Sequence, residues 1–97
     1  MGKKANVAYE IDVELQAHEL AAVRRLRYLD EIMTEVLDSA RPLGVDGFVI
    51  LSGDRFALEH LAGEIAHAVN HSRGGGARLE ALNGAADAIE LALEHQS

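Results

Sequence analysis

Polar and apolar positions alternate at the start of this chain. Val7, Tyr9, Ile11, Val13 and Leu15 interleave with Asn6, Ala8, Glu10, Asp12, Glu14 and Gln16. A period of two predicts a half-buried strand over 6–16, apolar on one face and acidic on the other. From residue 17 the period becomes helical. Ala22, Leu26, Leu29, Ile32, Met33, Val36, Leu37 and Ala40 fall on one side of a helical wheel, with Arg24, Arg27, Glu31, Thr34, Glu35 and Asp38 on the other. That pattern predicts one long helix over 17–41, ended where Pro42 disfavours the α conformation at Arg41.

A connector with Gly44 and Gly47 leads to Phe48-Val49-Ile50-Leu51, a short second strand over 47–52 that is apolar on both faces. Ser52 or Asp54 is placed to cap a helix over 53–72, whose apolar side is Leu58, Leu61, Ala62, Ile65, Ala68 and Val69. The glycine loop at 73–76 stops that helix. Leu79, Leu82, Ala86, Ile89 and Leu93 then recur at helical spacing and predict a helix over 77–95. Asn83-Gly84 interrupts it and admits a competing assignment, with Arg78 to Leu82 as a third strand. The continuous helix is favoured because the seam keeps its phase across Gly84. Residues 1–5 and the last two or three are expected to be loose.

The order is thus β-α-β-α-α: a single α+β domain over 1–97, a small sheet of short strands packed on long amphipathic helices. A two-stranded sheet does not stand alone and leaves its edges open. The economical resolution is a homodimer that completes or covers the sheet, with Val49 or Leu51 turned to the second copy. The other is a monomer with a third strand that the pattern does not reveal.

Composition narrows the chemistry. The chain has 97 residues, 48% of them apolar, and its core must be built of Ala, Leu, Val and Ile because only two Phe and two Tyr are present. There is no cysteine, so disulfides, thiolate metal sites and a cysteine nucleophile are excluded. Lys3 and Lys4 are followed by strand alternation rather than the apolar run of a signal peptide, and no segment approaches a membrane span. A cytoplasmic protein without membrane contact is expected. The formal net charge of −7 argues against direct nucleic-acid binding, which needs a basic surface, and permits a basic protein partner.

Three groupings could carry chemistry. His60, Glu64, His67 and His71 follow one another at i, i+4, i+7 and i+11 on one helix face, and Glu64-x-x-His67 has a spacing used by metal-binding bundles. That face lies opposite the apolar one, where no second helix can complete a ligand set, so a solvated helix face is favoured. Arg73, Gly74, Gly75, Gly76 and Arg78 could turn backbone N–H groups and two guanidinium groups toward an anion. The Lys-Ser/Thr of a phosphate loop is missing, however, and a flexible connector explains the glycines equally well. Arg24 and Arg27 share a helix face and suit either a carboxylate or phosphate ligand or a surface ion pair of Arg27 with Glu31.

No serine sits in a nucleophile elbow, and no acid/base pair is singled out by spacing. The expectation is a small non-catalytic protein-interaction module without a cofactor, of the inhibitor, antitoxin, immunity-protein or phage-regulator type. Its acidic strand face, Glu10, Asp12 and Glu14, would meet a partner with a basic surface, unless Lys or Arg side chains from the same chain cover it. The competing expectation is an oligomer that binds an anion or a metal through the Arg/Gly loop or the histidine stripe.

Overall fold

The computed structural model describes residues 10–44, 46–72 and 75–95. Elements follow in the order β1 (Ile11–Gln16), α1 (Ala17–Arg24), α2 (Glu31–Asp38), β2 (Arg41–Pro42), β3 (Phe48–Gly53), α3 (Arg55–Asn70) and α4 (Ala77–His95). The three strands form one antiparallel sheet in the order β1-β3-β2, with Val13 opposite Leu51 and Arg41 opposite Ile50. The α+β class stands. The β-α-β-α-α order does not: among the described residues there are four helices rather than three, and a third strand.

The long helix expected over 17–41 is two helices. A continuous helix of that length would run about 37 Å, nearly twice the length of a six-residue strand at about 20 Å. The halves pack on different neighbours instead, α1 on α4 and α2 on α3. Arg25 N–H and Leu26 N–H close the end of α1 on Ala22 O and Val23 O, and Asp30 restarts the helix by accepting the Met33 N–H at 2.9 Å. Leu26 is buried and Leu29 packs against the core, so the apolar stripe survives the break that its periodicity hid.

The third strand is Arg41–Pro42. Helical structure stops at Asp38, short of the expected 41 and before Pro42 acts, and an edge position tolerates the missing N–H of Pro42. A hairpin joins β2 to β3, with Leu43 N–H donating to Phe48 O at 3.2 Å and with Gly44 and Gly47 at φ +96° and +83°. The expected strand over 6–16 is seen as Ile11–Gln16; its predicted beginning at 6–9, like the loose residues 1–5, lies outside the described residues. Helix α3 starts one residue after Asp54, whose carboxylate accepts the Ala57 N–H at 2.7 Å, so Asp54 rather than Ser52 is the cap. Helix α4 is continuous through Asn83-Gly84, which removes the competing strand at 78–82. Glu19 of α1 lies against Gly84, where a Cβ would collide with its carboxylate.

Ile11, Val13, Leu15 and Leu51 point from one face of the sheet into a core with Val23, Met33, Val36, Leu37, Leu58, Leu61, Ile65, Leu82, Ile89 and Leu93. All four helices contribute to that face. Half-buried Val49 also packs on this side. The expectation that Val49 or Leu51 would face a second copy is therefore overturned: β3 alternates, and its outward residues are Phe48, Ile50 and Ser52.

Candidate functional site

The opposite face of the sheet has no helix on it among the described residues. Alternation along β1 sends Asp12, Glu14 and Gln16 outward, and the strand register sets them opposite Ser52, Ile50 and Phe48 of β3. Arg41, opposite Ile50, shares this side from β2. The face therefore runs from acidic at β1, through Ile50 and the 39%-exposed Phe48, to basic at β2.

Asp12 is not a free carboxylate. Its Oδ1 accepts the Ser52 hydroxyl at 2.7 Å and the Arg41 guanidinium at 3.4 Å, and Arg41 also donates to Ser52 Oγ at 3.0 Å. A basic side chain of the same chain thus covers part of the expected acidic row. Glu14 is exposed and has no such partner among the described residues. Glu10 precedes β1 and lines a separate cleft with Glu35, Ser39, Ser52 and Asp54. Of the three acids, only Asp12 has a basic partner among the described residues; Glu10 and Glu14 are exposed without one, and of these two Glu14 lies within β1.

Beside Asp12 and Glu14, the edge of β1 that β3 does not occupy opens into a cleft of about 370 Å³. Its far wall is Ala88, Leu91, Ala92 and His95 of α4. These four residues sit at i, i+3, i+4 and i+7, one flank of the helix. Leu91 is 56% exposed, although its neighbours in the seam are buried. Sequence reasoning missed Phe48, Ile50, Arg41 and Leu91. The parity of β3 relative to β1 would have found the first two, and the 88/91/92/95 stripe was overshadowed by the stronger core seam.

The arginines expected to bind an anion are dispersed. Arg24 donates to Leu37 O at 3.3 Å and ties α1 to α2. Arg27 lies in the connector between these helices, so the two do not share a helix face, and no ion pair joins Arg27 to Glu31 among the described residues. Arg73 and Gly74 lie outside the described residues. Gly75 and Gly76 precede α4, and Arg78 reaches back to Ser72 Oγ at 3.4 Å. The fold instead brings Arg78 together with Arg25 and His18 around a cleft of about 310 Å³ between α1 and the start of α4.

The histidine stripe is divided among different contacts. His60 Nε2 lies 2.6 Å from Asp30 Oδ2 and links α3 to the start of α2, while its ring stacks on Phe56. The Met33 N–H and then the His60 side chain hold the Asp30 carboxyl below its ordinary value. His67 and His71 have ring centroids 4.2 Å apart in a tilted pair, and Glu64 is half-buried. Among the described residues, no three His, Cys, Asp or Glu side chains converge as a metal site. Nor is any helix there long and apolar enough to cross a membrane.

Comparison with known proteins finds no matching family model, curated protein or solved structure.

Proposed function

We propose that this chain is a small, non-catalytic, cytoplasmic protein-interaction module of the inhibitor, antitoxin, immunity-protein or phage-regulator type. It acts by covering a surface of a larger protein. The observation that carries this reading is the one-sided sheet. Among the described residues every helix packs on the inner face, and the outer face and the β1 edge are left open with exposed apolar groups beside uncompensated acid. Stable monomers usually cover such features. The negative charge favours a partner with a basic surface.

The module works as a weak homodimer through the outer face. That face is complementary to itself. A two-fold axis parallel to the strands lays β1 of each copy over β2 of the other, bringing Glu14 toward Arg41 and Ile50 against Ile50. Two strands of six residues and one of two offer roughly 220 Å² per copy, against about 800 Å² in a standard interface, so micromolar or weaker association follows.

Light scattering across a concentration series tests the dimer. Wild type is expected to gain mass toward roughly 100 µM, and Ile50→Glu to remain monomeric. A monomeric wild type throughout removes the dimer. Affinity capture from host lysate across a salt series tests the module. Wild type should retain one partner, and Glu14→Lys should lose it most clearly at low salt. Equal recovery by both would take the acidic side out of the reading.

A second reading, anion binding, is supported by the convergence of His18, Arg25 and Arg78 at the start of α4. Calorimetry with inorganic phosphate separates the two, since only this reading expects saturable heat that Arg25→Ala abolishes.

A further inference from the structure

The β1 edge has a geometry that the interaction reading does not use. In an antiparallel ladder, hydrogen-bonded and non-bonded pairs alternate. Ala17 N–H donates to Gly47 O at 2.7 Å, and these two residues continue the β1–β3 register. Counting back in twos, Leu15, Val13 and Ile11 turn their backbone groups toward β3. The N–H and C=O groups of Asp12 and Glu14 therefore face the open edge. At the end of that edge, Gln16 N–H is already taken by Glu19 Oε1 at 2.8 Å. Among the described residues no strand pairs with this edge, which borders the cleft whose other wall is Ala88, Leu91, Ala92 and His95.

We propose that an extended segment of the partner adds to β1 as a fourth, antiparallel strand, with basic side chains alternating with apolar ones. The proposal rests on the interaction-module reading and specifies how that module binds. A strand laid along β1 has two sets of side chains. One set falls over the Ala88/Leu91/Ala92 flank of α4, a small-residue wall that takes Val-sized apolar groups. The other projects on the outer face beside Asp12 and Glu14, where Lys or Arg satisfies Glu14 across the strand pair, Asp12 being already held by Ser52 and Arg41. A second copy of β1 does not fit. Antiparallel self-pairing about Val13 would set Asp12 directly opposite Glu14 of the other copy, and like charges so placed destabilise a ladder.

The geometry dictates which residues of the incoming strand bond. In an antiparallel pair, opposite residues share a face, so the backbone groups that meet Asp12 and Glu14 belong to the basic residues. The probe is a capped peptide of about eight residues in which Lys and Val alternate, titrated into the purified chain at low salt. N-methylation at its Lys positions removes the edge-facing donors, and N-methylation at Val removes only the outward ones.

The expected result is saturable binding that slows amide exchange at Asp12 and Glu14. Binding should weaken at least about tenfold on Lys N-methylation, in Glu14→Lys and in Leu91→Glu, and remain nearly unchanged on Val N-methylation. Both substituted residues are exposed, and an unchanged circular dichroism spectrum checks that the variants fold. Equal binding by the two methylated peptides would overturn strand addition in favour of charge attraction alone, and absence of binding up to millimolar peptide would overturn it outright. Because this assay uses the purified chain and a synthetic peptide, its failure leaves the module reading to the capture experiment.

Discussion

Ser39→Ala is the substitution whose effect can be worked most directly from this fold. Ser39 follows the last residue of α2, yet it occupies the β2–β3 register opposite Ser52, two residues beyond the Arg41–Ile50 pair. Its backbone is still helical there and cannot continue the ladder. The side chain does so instead: Ser39 Oγ accepts the Ser52 N–H at 2.8 Å and lies 3.2 Å from Ser52 O and 2.6 Å from Val36 O. Ser52 is buried at 8% exposure, so removing Oγ strands a main-chain donor. An unsatisfied buried donor costs about 1–3 kcal/mol. The lower end applies if water reaches Ser52 through the adjoining cleft that Glu10, Glu35 and Ser39 line.

We expect about 2 kcal/mol, a large share of the roughly 5–15 kcal/mol available to a domain of this size. That corresponds to a melting temperature lower by roughly 8–16 °C. Urea denaturation of Ser39→Ala against Ser72→Ala measures it. The Ser72 hydroxyl donates to Ala68 O within its own helix end, and no backbone donor depends on it, so its loss should stay within about 0.5 kcal/mol. Faster exchange of the Ser52 amide in Ser39→Ala locates the effect. If the two variants were equally stable, or Ser52 exchanged at the wild-type rate, the side chain could not be standing in for a ladder bond.

Two further outcomes follow from single positions. Gly63 lies on the exposed side of α3 with open space where a Cβ would stand, so Gly63→Ala should raise stability by about 0.5–1 kcal/mol in the same urea assay, and any loss would contradict the placement. Asp30 has its folded carboxyl pKa below the ordinary 3.8, so it contributes stability above that pH which is lost as pH falls through the folded value. The stability difference between wild type and Asp30→Asn, which keeps a capping oxygen, should narrow from about pH 5 to pH 3; a difference independent of pH would refute it.

Much of this protein is written locally. Alternation in β1 is a property of adjacent residues, and Ile11, Val13 and Leu15 are buried as that alternation demands. The seams of α3 and α4 likewise follow from helical spacing, and Asp54 caps α3 from the position where a capping residue was expected. Three outcomes depended on residues distant in the chain. Helices α1 and α2 carry one unbroken apolar stripe, and only their separate docking on α4 and α3 shows that the backbone breaks between them. Arg41–Pro42 is too short to have a period, and it is a strand only because β3 lies beside it. Phe48 and Ile50 face outward because the register with β1 fixes the parity of β3, which an apolar run cannot reveal.

The acidic face changed for the same reason. Asp12 was legible as exposed, but its neutralisation required Arg41 to arrive from β2 across the sheet. What the sequence by itself determined was which faces are apolar, because period and composition are local. The tertiary structure decided which acid is paired and which strand edge stays open among the described residues, because pairing partners are set by packing between segments that no local pattern connects.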